Sequence, residues 1–86
     1  MNGTKYEDFA LWVRRRALRA GYALDVPRSG AVSELSADVG TAIYNVSRVL
    51  NAHRIPAYGS WSAWAAALGV SEELFRRKAK AALRGQ

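Results

Sequence analysis

The chain has no cysteine. No disulfide and no thiolate metal site can therefore form. It has one histidine, His53, so an imidazole-based metal site would lack a second ring. No apolar run approaches the roughly 20 residues that a membrane-spanning helix needs. The opening residues lack the charged-then-apolar order of a secretory signal peptide, and the expected location is the cytoplasm. Acidic residues are scarce, 7 Asp and Glu against 13 Lys and Arg, which leaves a formal charge of +6. Catalytic pairs are missing as well. Ser47 has no local histidine to activate it. The carboxylates Glu7, Asp8, Asp25, Glu34, Asp38, Glu72 and Glu73 fall where helix caps and surface explain them. No enzyme activity, cofactor, metal or small-molecule substrate is expected.

What is present points to helices. A length of 86 residues suits one domain with one core. With no covalent staple, that core must come from closely packed elements. Alanine is abundant while Val and Ile are few, which favours an all-α fold. Ten of the 13 basic residues are Arg. A guanidinium fork bonds two acceptors at once and suits phosphates and guanine edges. Charge alone leaves two readings open, a nucleic-acid partner or a basic surface that only keeps the chain soluble.

Apolar spacing and turn residues divide residues 1–86 into five helices of a single domain. Helix one starts at Thr4, which with Glu7 forms a capping box. It buries Phe9, Val13, Ala17 and Ala20 and ends at Gly21. Arg14, Arg15, Arg16 and Arg19 surround that stripe. They form either a phosphate-binding row or a solvated face whose stems cover the core. A loop with Pro27 follows. Helix two spans about Gly30–Val39 and helix three about Ala42–Asn51. A second loop carries Pro56 and leads to helix four, about Ser60–Leu68, with Ser60 as its cap. There Trp61, Trp64, Ala65 and Leu68 share one face. Helix five, about 71–84, is capped by Ser71 and is basic toward its end, with Arg76, Arg77, Lys78, Lys80 and Arg84.

The stretch from Val32 to Ala52 carries the functional signal. Leu35 and Val39 lie four apart, and Val46 and Val49 lie three apart, so each pair falls on one helix face. Gly40 between them suits a left-handed helix terminus. Burying Val46 and Val49 leaves Ile43, Tyr44, Ser47 and Arg48 on the opposite side. Leu35-Ser36-Ala37-Asp38-Val39-Gly40 followed by Val46-Ser47-Arg48-Val49 resembles the helix-turn-helix of the Cro and lambda-repressor (XRE-like) family. Downstream, Arg54-Ile55-Pro56 resembles that family's linker into helix four. Trp61, Trp64, Ala65 and Ala67-Leu68-Gly69-Val70-Ser71 are similar to its closing segment. The likeness covers about Ala31 to Leu74, and Arg14–Gly21 loosely resembles the first helix. Two positions depart from the pattern. Ala42 stands where a serine usually caps helix three, with Thr41 as a substitute cap, and Val32 stands where a glutamine often meets the DNA backbone.

The resemblance implies a five-helix domain in which helices two and three bind an operator in double-stranded DNA, as phage Cro proteins and immunity repressors do. It implies base reading by Ile43, Tyr44, Asn45, Ser47 and Arg48. Ile43 would meet a thymine methyl, and Arg48 would bond guanine O6 and N7. Phosphate contacts fall to Arg28, Ser29, Ser33, Thr41 and Arg54. A homodimer on a palindrome is implied, paired through helix five and Leu50. The alternative is a protein-interaction module on the same fold, such as an antitoxin or a phage protein that binds a host factor. Ile43 and Tyr44 would then be protein anchors.

Overall fold

Five α-helices and one short 3-10 turn account for the regular structure in a computed structural model, which describes residues 6–85. The helices are α1 (Glu7–Arg19), α2 (Ala31–Val39), α3 (Ile43–Leu50), α4 (Trp61–Leu68) and α5 (Glu72–Gly85). The 3-10 turn, Tyr58–Ser60, leads directly into α4. No strand occurs among the described residues. The fold is all-α, as the alanine-rich composition predicts.

Helix α1 buries Phe9, Val13 and Ala17 at the expected spacing. Ala20 is exposed instead, as the C-cap residue just past the end of α1. Thr4 of the expected capping box lies outside the described residues. From the opposite side, α4 and α5 close an aromatic centre. The Trp64 and Phe75 rings stack with centroids 6.3 Å apart, and Phe9 meets Phe75 edge-on at 5.8 Å. Such pairs contribute about 0.5–1.5 kcal/mol beyond simple burial. Trp61 is also buried, and its indole N–H donates to the Pro56 carbonyl at 2.8 Å. Trp12 differs from the other two tryptophans. It is half-buried at the rim, with the Lys78 ammonium 5.7 Å from its ring centre.

Caps separate local from non-local control of the helix starts. Ser71 caps α5 as expected, its Oγ accepting the Leu74 N–H at 3.1 Å. Ser60 makes no side-chain cap, because the 3-10 turn directs its hydroxyl back to the Ala57 carbonyl at 2.8 Å. Thr41 does not cap α3 either, and Ala42 occupies the cap position without a side-chain bond.

Helices α2 and α3 pack together across a turn of three residues, Gly40, Thr41 and Ala42. Gly40 adopts φ +82°, which lets its own N–H and that of Thr41 both reach the Ser36 carbonyl, at 2.8 and 3.1 Å. Leu35, Val39, Val46, Val49 and Leu50 join the core. Leu50 is only 4% exposed and so cannot form a dimer surface, contrary to the expectation above. Its place four residues after Val46 puts it on the inward face of α3. The loop before α2 is tied down by Tyr22, whose hydroxyl donates to Asp38 Oδ2 on α2. Burial first, and then the Asp38 hydrogen bond and charge, push the Tyr22 phenol up to about 12. Among the described residues no helix is long and apolar enough to cross a membrane.

Candidate nucleic-acid interface

Helix α3 is short and two-faced. Its inward side, Val46, Val49 and Leu50, is shielded by α1 and α2. Its outward side carries Ile43 at 51% exposure and Tyr44 at 68%. Large apolar and aromatic groups side by side on a solvent face lose the stabilisation that burial would give. Ser47 and Arg48 lie half-exposed along the same face. Arg48 rests against Tyr44, with its guanidinium carbon 5.6 Å from the ring centre and Nη1 3.4 Å from the phenolic oxygen.

The electrostatics of this face are one-sided. No Asp or Glu occurs between Asp38 and Glu72, whereas Arg48 and Arg54 both fall in that stretch. Among the described residues neither arginine has a carboxylate partner; the one ion pair there, Arg76 with Glu72, lies on α5. Both cations are therefore available to an anionic partner.

The expected phosphate contacts fall into two groups. Arg28, Ser29 and Ser33 line one shallow cleft at the start of α2. Within it Ser29 is already engaged, donating to the Ala23 carbonyl at 2.8 Å and accepting the Ala31 N–H at 3.2 Å. Arg28 is exposed with φ +60°, a conformation uncommon outside glycine. The second group is Thr41 and Arg54, which line a small pocket between α3 and α4, floored by Val49, Pro56 and Trp64. Asn45 links them. Arg54 Nη1 donates to Asn45 Oδ1 at 3.4 Å, and Asn45 Nδ2 donates to Thr41 Oγ1 at 3.0 Å. Asn45 thus bridges Thr41 and Arg54 through one amide N–H and its carbonyl oxygen.

Two further residues belong to the site, although the sequence alone does not assign them to it. Arg14 reaches across from α1 and donates from Nε to the Leu50 carbonyl at 2.9 Å, satisfying the last turn of α3. Its Nη2 donates to Asn51 Oδ1 at 3.3 Å. Arg14 is thus tied to the end of α3, while Arg15 and Arg19 on the same helix are exposed. Asn51 in turn donates to Ser47 Oγ at 3.4 Å. The Ser47–Asn51 spacing repeats that of Thr41–Asn45, which is visible in the sequence. The Arg14 contact, spanning 36 positions, is not.

Comparison with known proteins finds no matching family, no matching curated protein and no matching solved structure.

Proposed function

We propose that the chain is a sequence-specific DNA-binding transcriptional regulator of the phage Cro or repressor kind, reading an operator with α3 in the major groove. One observation carries this reading. The outward face of α3 presents Ile43, Tyr44, Ser47 and Arg48 together, within a stretch free of carboxylates. A major groove admits one helix and offers thymine methyls to apolar side chains and guanine edges to arginine. Arg54 and Thr41, with Arg28 and Ser33 at the start of α2, supply backbone contacts that set the register. Regulation would follow from occupancy, which excludes or recruits RNA polymerase.

One small domain touches few base pairs, so useful selectivity calls for two copies on a palindrome. Half-sites would then lie about 34 Å apart, one turn of the duplex. Selection of bound duplexes from a random pool tests the proposal. Enrichment of a palindrome with that spacing is expected, and recovery of unenriched sequence would refute it.

A further inference from the structure

The hydrogen bonds along α3 have a direction. A guanidinium only donates. Where Arg14 meets the Asn51 side chain, the amide oxygen must therefore face the arginine and the amide nitrogen must face Ser47. Ser47 Oγ consequently accepts from Asn51. A hydroxyl that accepts on one side keeps its own proton for a different acceptor. A helical serine often gives that proton to a backbone carbonyl one turn back. No such bond from Ser47 is present among the described residues. The same polarity recurs at the other end of the helix, from Arg54 through Asn45 to Thr41 Oγ1.

We infer that these two arginine–asparagine relays bias the Ser47 and Thr41 hydroxyls toward donating outward, so that Ser47 favours a purine N7 and Thr41 a phosphate oxygen. The inference rests on the DNA-binding reading of α3 and deepens it. A free serine pairs with donors and acceptors alike and discriminates little between bases. With one lone pair engaged by Asn51, Ser47 presents its proton toward the groove and favours acceptors there. N7 is the major-groove acceptor that both purines share. Thr41 lies at the entrance to α3, beside Arg54, where the strand backbone would pass. Arg14, Asn45 and Asn51 are positioning residues in this scheme. They touch no DNA and act through the hydroxyls they orient.

The test uses the full chain as wild type, Ser47→Ala, Arg14→Met and the double variant. Each is titrated with the selected operator and with operators in which one purine at a time is replaced by its 7-deaza analogue, which lacks N7. Wild type should lose about three- to tenfold in affinity at one such position per half-site, the worth of a single hydrogen bond. Ser47→Ala should be indifferent to that replacement. Arg14→Met should lose most of the discrimination, and in the Ser47→Ala background it should change nothing at that position. Full discrimination retained by Arg14→Met, or no sensitive position in wild type, overturns the inference. Nuclear magnetic resonance of the DNA-free protein gives an independent readout, because the Asn51 side-chain amide should shift in both single variants. An Asn51 amide unmoved by Arg14→Met also overturns it. If wild type binds no duplex at all, the DNA reading fails and the N7 assignment falls with it, while the amide signals separately report whether the relay exists.

Discussion

Arg48 illustrates how far single side chains are legible in the sequence. Its outward position follows from the inward pair Val46 and Val49, because helical geometry places residues three and four apart on one face. Its resting contact does not follow in the same way. In the free protein it lies against Tyr44, 5.6 Å from the ring centre. That contact lies on the exposed face, and among the described residues Arg48 has no ion pair to break on moving to a guanine edge. Arg48→Ala should cost about 1–3 kcal/mol on the preferred operator and relax the preference at one position per half-site. Binding to unrelated duplex should fall much less, since Arg28 and Arg54 remain. Titration of both proteins against every single-base operator variant checks this, and an equal loss on all variants would show that Arg48 only neutralises backbone charge. Arg14 marks the opposite limit. Its partners Leu50 and Asn51 are distant in sequence, and only the packing of α1 on α3 brings them together.

At the level of elements, local chemistry is readable and packing is less so. Ser71 caps α5 because a serine hydroxyl and an amide three residues on need nothing else to meet. Ser60 fails as a cap because a preceding 3-10 turn, with no strong sequence signature, claims its hydroxyl. Analogy with a family position puts Leu50 on the surface, although its spacing from Val46 already places it inward. The turn between α2 and α3 is fully legible in Gly40. That glycine sits at φ +82°, and a Cβ built there meets nothing within 4 Å. The cost of replacing it is therefore conformational and not steric crowding. Gly40→Ala should destabilise the fold by about 1–2 kcal/mol, the penalty of a left-handed alanine. Gly40→Asn should cost less, because asparagine tolerates that region better. Thermal melts of wild type and the two variants check the order. Equal midpoints for wild type and Gly40→Ala would mean that the turn relaxes out of the left-handed region.

For the molecule as a whole, net charge is readable while its consequences depend on placement. The +6 charge alone does not distinguish a DNA-binding domain from a soluble basic protein. Placement adds that, among the described residues, Arg48 and Arg54 have no carboxylate partner, and that Arg48 rests against the exposed Tyr44. Two mechanisms compete for that surface. Phosphate binding releases condensed counterions, whereas an apolar protein interface around Ile43 and Tyr44 would not. The magnitudes separate them. If each of two protomers neutralises two phosphates through Arg28 and Arg54, log affinity should fall against log salt with a slope of about −3.6. Raising salt from about 50 to 200 mM should then weaken operator binding by about 150-fold. Arg54→Ala should flatten the slope by about one unit per protomer. A partner protein captured through Ile43 and Tyr44 should bind almost equally at both salt concentrations. Fluorescence anisotropy across a salt series measures the slope directly. A steep slope that Arg54→Ala flattens supports the regulator. A flat slope, with any binding lost in Tyr44→Ala and kept in Arg54→Ala, assigns this face to a protein partner instead.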